Sequence, residues 1–298
     1  MDVPYEPLSI PVSGGSLAAG RWGRGERIVV AAHGITANHR SWLSVAELVV
    51  ELSDNSVSLL AVDHRGRAGS ADIPGPFGLE AHADDLIAVL DHLGLDTAVL
   101  AGHSLGGFIV ASAAERHPRR VERLVLVDGG VPFPGELPPD ADIEATVQAV
   151  IGPALDRLDM RWPDIESYVD FFRAHPAFQP PNEWTPAVEE YVRYDAVTTP
   201  EGQIRSSVHK EAVLVDGGAA IVDPRAASAI ERSSTPSTIL WAPRGLLDQT
   251  PGLYPAESIA DAVGRLPHLH AHLVDDVNHY TIVTSDRGAS AVAQAMIG

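Results

Sequence analysis

The sequence predicts an α/β protein with a mostly parallel central sheet, helices on both faces of that sheet, and an inserted helical segment. Three observations lead to this prediction. Short apolar runs alternate with helical patterns over residues 1–130, and the same alternation returns after residue 236. The stretch between them has proline-rich breaks and an aromatic cluster instead. Strands that alternate with helices are joined by right-handed crossovers, which give a parallel sheet covered on both faces.

The first part of the chain contains the predicted elements in a regular order. An antiparallel hairpin over residues 8–22 turns at Gly14-Gly15 and leads into the sheet. Each later strand is a short apolar run, and each helix repeats apolar residues at helical spacing. The predicted strands are 27–32, 57–62, 97–101 and 121–127, and the predicted helices are 41–52, 79–93 and 108–115.

The second part of the chain predicts an insertion into this core. Residues 131–235 have helical spacing at 165–174 and 187–194 and no strand–helix alternation. We therefore predict a core made of residues 1–130 and 236–298, with residues 131–235 as a helical subdomain. The core resumes with a strand at 237–242, a helix at 256–264, a strand at 268–274 and a C-terminal helix at 285–297.

Composition and charge limit the classes of function. With 298 residues, of which 45% are hydrophobic, the chain can bury a substantial core. Its formal net charge of −19 argues against nucleic acid or an anionic membrane as a partner, because phosphate binding depends on basic clusters. The absence of cysteine excludes disulfides, a cysteine nucleophile and thiolate metal sites. No apolar run could span a membrane and the N-terminus lacks a signal-peptide pattern, so we expect a cytoplasmic protein of undetermined oligomeric state.

The most specific local pattern is Gly102-His103-Ser104-Leu105-Gly106, a G-x-S-x-G sequence between a predicted strand and a predicted helix. A serine in such a sharp turn presents its hydroxyl outward, and the flanking glycines lack the Cβ atoms that would clash there. The following helix directs its N-terminal N–H groups toward the place where an oxyanion forms. Ser104 is therefore the candidate nucleophile, with an ordinary glycine-rich turn as the alternative interpretation.

The candidate base and acid follow strands at the same edge of the predicted sheet. A serine hydroxyl is a poor nucleophile until a base takes its proton and an acid holds that base in place. His279 follows the last strand and is the candidate base. Asp248 follows the penultimate strand, and Asp128 follows the strand that ends at residue 127. We expect Asp248 to be the acid and keep Asp128 as the alternative, because the chain order of serine, acid and histidine fits both.

Two backbone N–H groups are needed to stabilise an oxyanion. The first should belong to Leu105, the residue after the candidate nucleophile. The second should come from the loop His33-Gly34-Ile35-Thr36, which follows the strand at 27–32. We predict Ile35 as this donor and Thr36 as its alternative.

In their order and spacing these residues resemble the α/β-hydrolase superfamily. The resemblance extends over nearly the whole chain outside residues 131–235, which look like the variable cap of that family. It implies a Ser-His-Asp triad, no cofactor, and an active site between core and cap. One turn departs from the family pattern, because Ala68 stands where glycine is usual. The matching segments are His33-Gly34, the turn at 63–70, Gly102 to Gly107, Asp248 and Asn278-His279.

The sequence therefore predicts a cofactor-independent serine hydrolase, a carboxylesterase that cleaves small or medium-sized esters through an acyl-enzyme. The same triad acting on a lactone, thioester or amide, in carbon–carbon cleavage or in perhydrolysis is the alternative, because one fold supports all of these reactions. A non-catalytic binding module is a third hypothesis. The last strand places three histidines on one face, but no further ligand is evident and we expect no metal site there; they are His268, His270 and His272.

Overall fold

The computed structural model describes residues 3–135 and 141–298. Within them lie the strands β1 (Tyr5–Val12), β2 (Gly15–Trp22), β3 (Arg27–Ala32), β4 (Val57–Val62), β5 (Ala98–His103), β6 (Val121–Val127), β7 (Ala196–Thr198), β8 (Ile204–Ser206), β9 (Ser237–Trp241) and β10 (Leu269–Leu273). Eight of these strands form one sheet in the order β1-β2-β4-β3-β5-β6-β9-β10. The pairs β1–β2 and β2–β4 are antiparallel, and the other neighbours are parallel. The predicted α/β class with a mostly parallel sheet is confirmed.

Helices cover both faces of this sheet. The helices of the described residues are α1 (Leu43–Leu52), α2 (Leu79–Leu93), α3 (Leu105–Arg116), α4 (Ile143–Asp156), α5 (Ile165–Arg173), α6 (Pro186–Asp195), α7 (Lys210–Gly217), α8 (Pro224–Ala227), α9 (Ala229–Arg232), α10 (Ala256–Arg265), α11 (Thr281–Thr284) and α12 (Asp286–Ile297). The apolar sides of α2 and α3 pack on one face of the sheet, and those of α1 and α12 pack on the other. None of the described helices is long and apolar enough to cross a membrane.

The central strands are apolar along their whole length because both of their faces are covered. All residues of β4 and β5 are buried. Continuous apolar runs are expected for parallel strands between two helical layers, whereas the edge strand β1 mixes buried and exposed residues. This sheet holds the carboxyl ends of β3, β5 and β6 side by side, since β5 pairs with both of its neighbours.

The segment between β6 and β9 is mostly helical. Its helices α5 and α6 pack around an aromatic cluster that includes Tyr168 and Phe172, and α4 and α7 form a second apolar cluster around Val147. One local difference from the sequence patterns is the antiparallel pair β7–β8, which those patterns did not reveal. Strands of three residues are too short for a recognisable period-two pattern.

A buried carboxylate on α7 fastens this segment to the core. Asp216 has no exposed side-chain surface and lies 2.6 Å from Nη1 of Arg67. It also accepts hydrogen bonds from the backbone amide of Gly78 at 2.6 Å and from Nε2 of His82 at 2.9 Å. These contacts hold the pKa of Asp216 well below its usual range despite burial, because the nearby Arg67 and His82 favour the charged form.

Two neutral histidines lie beside this anchor. Burial lowers the pKa of His33 to about 3. Burial also lowers the pKa of His64 well below its usual value, and the two rings lie 4.1 Å apart between centroids. His33 accepts a hydrogen bond from the backbone amide of His64 through Nε2, at 3.0 Å, which requires that nitrogen to be unprotonated.

Replacing Asp216 with asparagine should destabilise the protein strongly. Loss of the carboxylate leaves the buried Arg67 without its counter-ion, and breaking a buried ion pair in this way costs about 3–5 kcal/mol. Urea unfolding of the Asp216→Asn variant measures this loss. The matched control is Glu231→Gln, which breaks the more exposed pair with Arg265 and should leave the free energy of unfolding nearly unchanged. Equal stabilities of both variants would contradict the anchoring role.

The free energy of unfolding should decrease steeply as the pH is lowered below about 6.5, the ordinary pKa of histidine. His33 and His64 take up protons in the unfolded chain at a pH where the folded protein keeps them neutral. Each contributes a slope of at most about 1.4 kcal/mol per pH unit, and for His33 the loss continues down to a pH of about 3. Urea unfolding between pH 7.5 and 4.5 tests this, with His64→Phe expected to flatten the slope. The exposed His270→Phe is the control and should keep the parent slope.

Candidate active site

Ser104 occupies a strained turn between β5 and α3. Its backbone angles are φ +55° and ψ −121°, in a region that non-glycine residues rarely adopt. The turn leaves no room for side chains on the two glycines of the motif. A Cβ atom on Gly102 would lie 2.1 Å from the carbonyl oxygen of Gly106, and one on Gly106 would lie 2.1 Å from that of Ala32. The G-x-S-x-G pattern thus has a steric cause in the close packing of three backbone segments.

His279 lies in the loop between β10 and α11 and is buried. Its Nδ1–H donates to Oδ2 of Asp128 at 2.7 Å. Asp128 directly follows β6, is fully buried, and accepts a further hydrogen bond through Oδ1 from the backbone amide of Ala242 at 3.1 Å. This arrangement protonates the imidazole at Nδ1 and leaves Nε2 as the nitrogen that can accept a proton.

Asp248, which the sequence patterns predicted as the acid that orients His279, does not hydrogen bond to that histidine. Its carboxylate lies 2.6 Å and 2.8 Å from Nη1 of Arg244, four residues earlier, and accepts from Nδ2 of Asn278 at 2.8 Å. The expected contact of Asp248 with the imidazole is therefore corrected, because Asp248 is paired with an arginine and it is Asp128 that contacts His279. The sequence contained a signal for this, since Arg244 and Asp248 have the spacing of a local ion pair.

Asn278 and His103 hold the loop that carries His279. The Asn278 side chain accepts from the backbone amides of residues 280 and 281, each at 2.9 Å, and donates to the carbonyl of Ala177 at 2.9 Å. His103 donates from Nε2 to the carbonyl oxygen of His279 at 2.8 Å. Burial lowers the pKa of His103 well below its usual value, so it remains a neutral donor. Sequence reasoning missed both contacts, although both residues belong to the motifs that it singled out.

The two predicted oxyanion donors border the same space as Ser104. Ile35 and Leu105 both line the cavity there. Within residues 3–135 and 141–298, no backbone hydrogen bond is donated by the amide of either residue. The loop that carries Ile35 is held from both sides, since Nδ1 of His33 contacts the carbonyl of Gly34 at 2.7 Å and Nε of Arg67 donates to that of Ile35 at 3.1 Å. Thr36, the alternative donor, lines the neighbouring part of the cavity.

The cavity at Ser104 has two adjoining lobes. The first, here called the His-loop lobe, includes residues that follow His279 in the chain, namely Tyr280, Val283 and Thr284. The second, here called the apolar lobe, lies beside Leu105 and Phe108 of α3. Both lobes are open to solvent. The residues that line both of them are Ile35, Ser104, Ile151, Leu246 and His279.

The three histidines at and just before β10 do not form a cation site in the described part of the chain. Of the three, His270 and His272 are exposed, and Nε2 of His268 lies 3.2 Å from the carbonyl oxygen of Ile230. Residues 3–135 and 141–298 contain no cluster of three or more side chains with the geometry of a metal site.

Comparison with known proteins agrees with the architecture. Residues 27–157 match a family model described as the α/β hydrolase fold. Over 136 residues the chain is 35% identical to N-formylmaleamate deformylase of Pseudomonas putida. This alignment covers 43% of this chain and 49% of the relative. Over 107 residues it is 32% identical to a putative carbamate hydrolase of Caulobacter segnis, covering 35% of this chain and 39% of the relative. The chain thus spans less than half the length of these two curated relatives.

Solved structures resemble the chain over almost its full length. E-2-(acetamidomethylene)succinate hydrolase superimposes with a TM-score of 0.74 at 21% identity and covers 99% of both chains. An esterase of M. tuberculosis superimposes with a TM-score of 0.69 at 19% identity, covering 98% of this chain and 92% of the other. At such low identity these likenesses establish the fold alone. Together with the family model and the sheet order, they show that the chain has the α/β-hydrolase fold.

Proposed function

We propose that the protein is a serine hydrolase that cleaves carboxylic esters of small molecules, with Ser104 as nucleophile, His279 as base and Asp128 as acid. The observation that carries the proposal is the 2.7 Å hydrogen bond between His279 and Asp128 beside a serine held in a strained turn. Ser104 and Asp128 directly follow the neighbouring strands β5 and β6, and Ser104 and His279 line one cavity. A binding module would have no need of this combination of strain, buried carboxylate and oriented imidazole.

The proposed reaction begins when Nε2 of His279 takes the hydroxyl proton of Ser104. The serine oxygen attacks the ester carbonyl, and Asp128 stabilises the imidazolium that forms. The carbonyl oxygen gains negative charge, which is stabilised by the N–H group of Leu105 at the start of α3 and by that of Ile35 in the loop after β3. His279 then gives its proton to the leaving alcohol. Water hydrolyses the acyl-enzyme by the same steps, with His279 taking a proton from the water and returning it to Ser104.

Replacing Ser104 with alanine should remove the activity. The expected loss in kcat on p-nitrophenyl butanoate is at least about 10⁴-fold, because the remaining base has no nucleophile to activate. Ser112→Ala changes another serine of α3 that lines neither lobe and should keep parent activity. A fluorophosphonate probe should label the parent and the Ser112 variant and leave the Ser104 variant unlabelled. Parent activity without Ser104 would exclude the proposal, and a folded parent that takes no label would favour a binding module.

The two candidate acids can be separated by matched substitutions. Asp128→Asn keeps the size of the side chain but stabilises the wrong histidine tautomer, so we expect kcat/KM to fall by about 10⁴-fold. Asp248→Asn weakens the ion pair with Arg244 and the support of Asn278, and should cause a much smaller loss. Circular dichroism and thermal melting of both variants establish that they fold. A larger loss in the Asp248 variant would contradict the assignment of Asp128.

Hydrolysis of a carbon–nitrogen bond is the second candidate. It is favoured by the names of the two curated relatives, a deformylase and a putative carbamate hydrolase. Amide cleavage uses the same triad but requires His279 to protonate a nitrogen before it leaves. Comparing p-nitrophenyl butanoate with the p-nitroanilide of the same acid distinguishes the bonds. A Ser104-dependent kcat/KM on the anilide equal to that on the ester would favour the second candidate.

A further inference from the structure

The two lobes of the cavity differ in their polar groups. Among the residues that the structure describes, only Ser104 and His279 bring polar side chains to the apolar lobe. The residues that line this lobe alone include Phe108, Phe133, Val150, Ala220, Ile221 and Leu253. The His-loop lobe is lined by several residues that bear hydroxyl groups, among them Thr36, Ser41 and Tyr191. We propose that the substrate is an uncharged ester whose acyl part is a hydrocarbon chain bound in the apolar lobe, while its alcohol part binds in the His-loop lobe. This inference rests on the proposed function.

The charge of the cavity wall supports an uncharged substrate. Among the described residues, no aspartate, glutamate, lysine or arginine lines either lobe. Two arginines lie just behind the wall, but both are buried and already paired. Arg67 lies against Asp216, and Nη1 of Arg157 donates to Asp195 at 2.8 Å. A substrate carboxylate in the apolar lobe would lose its hydration without gaining a cation, which is strongly unfavourable.

The reaction geometry assigns the two ends of the substrate to the lobes. Leu105, the proposed oxyanion donor on α3, lines the apolar lobe and not the His-loop lobe. Tyr280 and Thr284 follow His279 and line only the His-loop lobe. The leaving oxygen must lie within hydrogen-bond distance of the histidine that protonates it. The alcohol part therefore lies beside the loop of His279, and the acyl part extends along α3 into the apolar lobe.

A bend in α4 forms part of the wall of both lobes. Ile151 departs from helical geometry, with φ −122° and ψ +22°, two residues before Pro153. Proline lacks the N–H that would bond to the preceding turn, and its ring clashes with that turn, so the helix bends there. The bend presents Ile151 to both lobes and Val150 to the apolar lobe. Val150 is thus placed to contact the acyl chain.

A matched pair of substrates tests the proposal. p-Nitrophenyl pentanoate and p-nitrophenyl hemiglutarate differ only in the end of the acyl chain, which is a methyl group in one and a carboxylate in the other. At pH 7.5 we expect kcat/KM to be at least about 100-fold higher for the pentanoate, because an unpaired carboxylate is costly to bury. Similar values, or a preference for the hemiglutarate, would overturn the proposal. Absence of Ser104-dependent hydrolysis of both esters would instead refute the proposed function.

A charge placed in the apolar lobe should change this preference. In Val150→Lys the new ammonium group can pair with the hemiglutarate carboxylate, so the ratio of the two kcat/KM values should fall at least tenfold. Ala149→Lys adds the same charge to an exposed neighbouring position on α4 and should keep the parent ratio. Thermal melting confirms that both variants fold. An equal change in both variants would indicate a general electrostatic effect and contradict binding of the acyl chain beside Val150.

Discussion

The site depends on the close packing of backbone around Ser104. The turn lies between the ends of β3 and β6. A Cβ atom on Gly106 would clash with the carbonyl of Ala32, and a Cβ atom on Gly129 would lie 2.1 Å from the carbonyl oxygen of Ser104. This packing has two further consequences. The loop after β3 brings Ile35 to the serine, and the residue directly after β6 is Asp128. One steric constraint therefore places the candidate nucleophile, oxyanion loop and acid next to each other.

Buried ion pairs connect the inserted segment to this arrangement. Asp216 on α7 pairs with Arg67, and the same arginine donates to the carbonyl of Ile35. Docking of the segment and positioning of the candidate oxyanion loop thus share one guanidinium group. Arg157 makes a second connection, because Nη2 donates to the carbonyl of Thr36 at 3.4 Å while Nη1 binds Asp195. Each pair also neutralises a cation that would otherwise attract an anion toward the cavity.

Local patterns in the sequence predicted the sheet, the turn at Ser104 and the presence of His279 at the sheet edge. They ranked Asp248 above Asp128 but could not predict which carboxylate contacts His279, because both residues follow strands and both fit the same chain order. Only the tertiary structure distinguishes them, by placing Arg244 against one and His279 against the other. The arrangement of the inserted helices was likewise beyond local patterns, since it depends on contacts such as Asp216 with Arg67, which are distant in sequence. The division of the chain into a core and a cap of residues 131–235 is a prediction.

The neutral histidines near the site have a consequence for the proposed mechanism. The imidazolium of His279 would form close to His103, whose ring centroid lies 4.7 Å away. A second positive charge at that distance would oppose proton transfer from Ser104. Burial keeps His103 neutral, as it does His33 behind the oxyanion loop. Asp128 contacts His279 directly. Because His103 and His33 are neutral, they do not repel the imidazolium, and its attraction to the Asp128 carboxylate is not weakened.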